Sequence, residues 1–128
     1  MNYIGIIGRK NDNKITFNQE VINVINKYNC IPIGIIVDFD NEPNIEFNKI
    51  KNIIDLCDGF ILQGGSDYYD IDILITKYLY ENNIPTLGIC LGMQTMAMTF
   101  NGTMSEINNH NSKNEYVHDI KINENSKL

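Results

Sequence analysis

Apolar residues in this chain fall into two rhythms. Four short runs, Tyr3 to Gly8, Ile31 to Val37, Gly59 to Leu62 and Pro85 to Cys90, are β-branched and nearly continuous in apolar character, the pattern of strands buried on both faces. Between them, three stretches space their apolar residues at helical intervals: Val21, Val24, Ile25 and Tyr28; Ile50, Ile53, Ile54 and Cys57; Ile71, Leu74, Ile75 and Tyr78. Thr16 with Gln19 is expected to form a capping box at the start of the first helix, and Asp70 to cap the third. Strand and helix alternate from the first residues. Right-handed crossovers onto one open, mostly parallel sheet with helices on both faces are therefore the expected α/β architecture, flavodoxin-like or Rossmann-like. After Phe100 the pattern changes. Asn101-Gly102 suits a turn, Asn108 to Asn114 is polar, and Tyr116 to Ile122 alternates as an exposed antiparallel strand would. The chain has 128 residues, which fits a single domain over 1–128.

Charge and cysteine spacing remove several function classes. The formal net charge is −6 and Arg9 is the only arginine, so no basic surface is expected to neutralise nucleic-acid phosphates. No apolar run approaches the roughly 20 residues that span a bilayer, and the start of the chain lacks a signal-peptide pattern. The expectation is a cytoplasmic protein with neither nucleic acid nor membrane as partner. Cys30, Cys57 and Cys90 are odd in number, widely spaced and set in apolar runs, which argues against a disulfide framework and a zinc cluster. Cys30 and Cys57 read as packing residues, and no metal or cofactor is expected. Ile4-Gly5-Ile6-Ile7-Gly8 lacks the glycine spacing of a dinucleotide fingerprint.

Ligands of open α/β sheets bind beyond the carboxyl ends of the strands, which here are Gly8-Arg9, Asp38, Gln63 to Asp67 and Cys90. Of these, Cys90 carries the clearest chemistry. It stands in Gly88-Ile89-Cys90-Leu91-Gly92-Met93-Gln94, where an apolar strand passes directly into a helix. A tight bend of this kind strains its central residue, and glycines two positions away on either side remove the Cβ atoms that would collide as strand and helix close. The sulfur is then lifted above the sheet at the positive end of the next helix, a setting that suits a nucleophile. Acyl transfer also needs backbone N–H groups aimed at a developing oxyanion. Gln63-Gly64-Gly65-Ser66 follows the neighbouring strand, so the amide of Gly64 or Gly65 is expected to pair with that of Leu91. Met93, Met96 and Met98 are expected as core of the helix after the bend.

Ile61-Leu62-Gln63-Gly64-Gly65-Ser66-Asp67, followed by Ile84 to Gln94 and then Asn101-Gly102-Thr103-Met104, resembles the class I glutamine amidotransferases. Within that superfamily the run most resembles the γ-glutamyl-γ-aminobutyrate hydrolase branch, the C26 peptidases, over residues 59 to 106. The resemblance implies a thiol hydrolase of γ-glutamyl amides or glutamine. Cys90 would form a thioester, Leu91 with Gly64 or Gly65 would hold the oxyanion, and Gln94 and Ser66 would seat the glutamyl group. It also implies a Cys, His, Glu triad. Here His110 is followed by Asn111-Ser112 and His118 by Asp119-Ile120, so neither matches the family's His-x-Glu. The expectation is a C-terminally truncated domain whose triad is incomplete, completed by a complementary chain or paired as a homo-oligomer. The alternative is an inactive γ-glutamyl-binding or regulatory subunit.

Overall fold

The protein is seen as a computed structural model that describes residues 1–106 and 119–126. Four of its strands form one parallel sheet: β1 (Tyr3–Ile7), β4 (Ile31–Ile35), β5 (Gly59–Leu62) and β6 (Thr86–Gly88), in the order β4-β1-β5-β6. This places β1 beside β4 on one flank and β5 on the other. Strand order therefore reverses between β1 and β5, the flavodoxin-like arrangement whose crevice lies at the carboxyl ends of those two strands. The open α/β sheet follows the sequence pattern closely, with each strand ending within two residues of the end of its apolar run.

Helices cover both faces. Ile7, Ile35, Phe60 and Leu62 point to one face, where they pack with Ile50 and Ile54 of α2 (Pro43–Ile54) and with Ile71, Ile75 and Leu79 of α3 (Asp70–Glu81). Ile6 points to the other face and meets Val21 and Ile25 of α1 (Gln19–Lys27). The pleat alternates side chains across the sheet, so adjacent Ile6 and Ile7 serve two cores. Burial of each such side chain stabilises the fold by about 1.5–3 kcal/mol. The fourth helix, α4 (Leu91–Thr99), packs against α3 with Met96 at the larger core. Met93, expected in that core, is instead 57% exposed, because it lies on the outer side of the first turn of α4.

Three local expectations are corrected. The first helix is capped not by Thr16 but by Asn18, whose side-chain oxygen accepts from the N–H groups of Glu20 and Val21 at 2.8 and 3.3 Å. Thr16 belongs to a hairpin of β2 (Arg9–Asn11) and β3 (Lys14–Thr16) that the hydrophobic pattern does not foretell. Asp70 is the first residue of α3, after an N-cap at Tyr69, and it is Asp72 whose carboxylate accepts from the Tyr69 N–H at 2.8 Å. Within the expected strand Tyr116 to Ile122, residues 119–122 have no regular structure, while 116–118 lie outside the described residues. Among the described residues no helix is long and apolar enough to cross a membrane.

Candidate active site at Cys90

The bend between β6 and α4 is as tight as its glycines suggest. Cys90 adopts φ 52° and ψ −106°, a conformation rare for a residue with a side chain, and its thiol-bearing residue is exposed. A Cβ on Gly88 would lie 2.7 Å from the Met93 nitrogen, and one on Gly92 would collide with the Leu62 carbonyl oxygen. Strand, bend and helix can close on one another only because both positions lack a side chain. Leu91 is buried behind the bend, and Gln94 is half-buried one turn further on, its N–H donating to the Cys90 carbonyl at 3.0 Å.

The loop after β5 meets this bend directly. A Cβ on Gly64 would sit 3.7 Å from the Cys90 Cβ, and one on Gly65 would sit 3.1 Å from Leu91 Cδ2. Gly64 thus lies beside Cys90, and Gly65 beside Leu91. The N–H groups of Gly64, Gly65 and Leu91 donate to no group among the described residues. Free backbone donors close to an exposed cysteine can receive a negatively charged oxygen. Ser66 is exposed in the same loop, and no side-chain hydrogen bond holds it among the described residues. Cys90, Leu91, Gly64 and Gly65 are therefore brought together, while Ser66 follows in the loop and Gln94 in α4.

Two residues hold the loop in place, and sequence reasoning assigned neither a partner. Gln63 is buried, and its amide nitrogen donates to the carbonyls of Ile7 and Thr16 at 2.9 and 3.0 Å, while its oxygen accepts from the Asn18 N–H at 2.7 Å. It ties the start of the glycine loop to β1, to the hairpin and to the cap of α1. Arg9 is also buried. Its guanidinium forms a fork onto Asp72, with bonds of 2.7 and 3.1 Å, and donates to the Asp67 carbonyl at 2.5 Å. The signal available in the sequence was a lone arginine at the exit of a buried strand; its carboxylate partner lies 63 residues away.

The other cysteines have no such setting. Cys57 is buried in the larger core, and its thiol is pushed up by burial, with a smaller contribution from the negative charge of Asp58. Cys30 is half-buried, its sulfur 3.6 Å from the Tyr28 carbonyl. No group of three or more His, Cys, Asp or Glu side chains suited to a metal ion is present among the described residues. His110 and His118 lie outside the described residues.

Residues 11–127 match the family Glutamine amidotransferase class-I. Over 80 residues the chain is 38% identical to the CTP synthase of Thermosipho africanus strain TCF52B, which covers 61% of this chain and 15% of that protein. Its fold superposes on the glutaminase domain of Trypanosoma brucei CTPS with bound acivicin, with a TM-score of 0.54 and 20% identity, over 77% of this chain and 40% of the other. The chain thus spans well under half the length of either relative. With the family pattern extending across nearly all of the sequence, this chain belongs to the class I glutamine amidotransferases.

Proposed function

We propose that the chain carries the nucleophile half of a glutaminase site and that Cys90 forms a γ-glutamyl thioester. The observation that carries this reading is the close approach of the Gly64-Gly65 loop to an exposed, strained cysteine whose neighbouring amides are free. The Cys90 sulfur attacks the γ-carbonyl carbon of glutamine, and the carbonyl oxygen becomes an oxyanion held by the N–H of Leu91 and that of Gly64 or Gly65. Collapse breaks the carbon–nitrogen bond. The nitrogen takes up a proton and leaves as ammonia, and water then hydrolyses the thioester to glutamate. Gln94, in the first turns of α4, and Ser66, in the glycine loop, are the residues assigned by this reading to bind the glutamyl group. The described residues hold no imidazole, so proton transfer falls to a histidine beyond them. In units of this kind, loss of one triad member lowers turnover by about 10⁴ or more.

Glutamine is the favoured substrate, since the chain belongs to the family Glutamine amidotransferase class-I. Membership of the γ-glutamyl-γ-aminobutyrate hydrolase branch is the narrower form of the proposal. Comparing glutamine with γ-glutamyl-4-aminobutyrate in a thioester-trapping assay separates the two. A second reading, a γ-glutamyl-binding subunit without turnover, draws on the absence of a His-x-Glu pair from these residues. Steady ammonia release by the purified chain would eliminate it.

The test of the site is covalent. A glutamine-derived chloroketone should add one label per chain, at Cys90, and Cys90→Ser should abolish it. Equal labelling of Cys30 and Cys57 would overturn the assignment.

A further inference from the structure

The buried ion pair of Arg9 and Asp72 lies below the proposed site, and no step of the chemistry uses it. Arg9 reaches three elements at once. Its backbone opens β2, its guanidinium forks onto Asp72 in the first turn of α3, and a third bond fixes the Asp67 carbonyl at the far end of the glycine loop. Its side chain also supports the loop from beneath, since a Cβ on Gly65 would sit 3.3 Å from Arg9 Nε and 3.4 Å from Cγ. Above one side, the guanidinium carbon stands 5.2 Å from the centre of the Phe39 ring, which in turn packs on Tyr69. Arg9, Gln63, Asp72, Leu91 and Gly92 line one cavity of about 10 Å³, room for a single water at most. Arg9 therefore lies under Gly65 of the glycine loop and borders the same small cavity as Leu91 at the start of α4.

We infer that Arg9 is a positioning residue: paired with Asp72, it holds the Gly64-Gly65 loop at the distance from Leu91 that an oxyanion requires. The inference rests on the glutaminase reading above. Its physical basis is rigidity. A guanidinium whose position is set by a two-bond fork cannot shift without breaking charge-assisted bonds in a nearly dry environment. A lysine would keep the charge but offers no planar fork, so it cannot hold Asp72 and the Asp67 carbonyl together in this geometry. A displacement of about 1 Å in such groups costs about a hundredfold in rate.

Two electrophiles distinguish positioning from general support of the fold. Attack of the Cys90 sulfur on the ketone carbon of a glutamine-derived chloroketone creates an oxyanion; the sulfur then passes to the methylene carbon, its bond to the ketone carbon breaks, the C=O re-forms and chloride leaves. Iodoacetamide is attacked at its methylene carbon, and iodide leaves with no oxyanion formed. Arg9→Lys is expected to slow chloroketone labelling of Cys90 about a hundredfold and to leave iodoacetamide labelling within about twofold. Asp72→Asn, which keeps the volume and an acceptor for the Tyr69 N–H, should show the same selective loss and serves if the lysine variant does not fold. Unchanged chloroketone labelling, or an equal fall with both reagents in a folded variant, would overturn the role of Arg9. Failure of the unmodified chain to label at Cys90 with chloroketone would instead remove the glutaminase reading itself, so the two failures are told apart.

Discussion

Cys90 is held where chemistry, not stability, is served. Its φ of 52° with ψ of −106° lies outside the regions that residues with a Cβ occupy readily, and strain of this type costs about 1–3 kcal/mol. Glycine would adopt the same conformation freely, at an entropic cost of about 0.5–1 kcal/mol from the more flexible unfolded chain. The difference favours the variant. Cys90→Gly is expected to raise stability by about 1 kcal/mol in urea unfolding while abolishing chloroketone labelling. A loss of stability would show that the bend stores no strain. The residues flanking it admit no such exchange, because Gly88 and Gly92 stand where any side chain would meet backbone.

At the scale of elements, the loop between β4 and α2 shows how a buried carboxylate can organise backbone. Glu46 is almost fully buried in α2, yet one of its oxygens accepts from the Asp38 N–H at 3.0 Å and the other from the Asn41 amide at 3.1 Å. Burial alone would push this carboxyl up. The bonds from Asp38, Asn41 and Lys49 together outweigh it and hold the group below the usual glutamate range. A depressed value means that the stabilising contribution is complete above the ordinary glutamate value and is lost as pH falls through the folded one. Glutamine has one acceptor oxygen where two are needed, so Glu46→Gln should be less stable by about 1–2 kcal/mol at pH 7. The gap between the two proteins should narrow as pH falls below the ordinary glutamate value and through the depressed folded one, as read from urea midpoints across pH. A gap independent of pH would mean that shape, not charge, is what the site requires.

The same scale explains what was legible in the chain. The strands and helix stripes could be read because Ile6, Ile7, Ile25, Ile54 and Ile75 are buried at the intervals that sheets and helices impose. The hairpin was hidden. Its residues run Arg9-Lys10-Asn11 and Lys14-Ile15-Thr16 with no buried alternation, and its turn at Asp12 is one polar signal among many in a chain rich in asparagine. The bend at Cys90 was visible because its glycines are local in sequence. Arg9 with Asp72, and Gln63 with Ile7, Thr16 and Asn18, were not, because those pairs exist only after the strands have been laid side by side.

For the molecule as a whole, the three cysteines report three depths of one fold. Cys90 is exposed at the carboxyl edge of the sheet, Cys30 is half-buried, and Cys57 is enclosed by the core that joins α2, α3 and the sheet. Burial both shields the Cys57 sulfur and pushes its thiol up, which leaves less of the reactive thiolate at neutral pH. That residue packs with Ile54, Phe60 and Ile75, so exposing it means separating elements that hold the whole larger core together. Its reaction with a disulfide reagent should therefore proceed only through opening of the domain. In native buffer Cys90 is expected to react first and Cys57 last, at least about a thousandfold more slowly than Cys57 in the urea-unfolded chain, as set by an opening free energy of 5 kcal/mol or so. Peptide mapping of labelled cysteines over time measures all three rates at once. Fast native labelling of Cys57, while circular dichroism still shows a folded chain, would mean that the core around α2 and α3 opens independently of the sheet that carries Cys90.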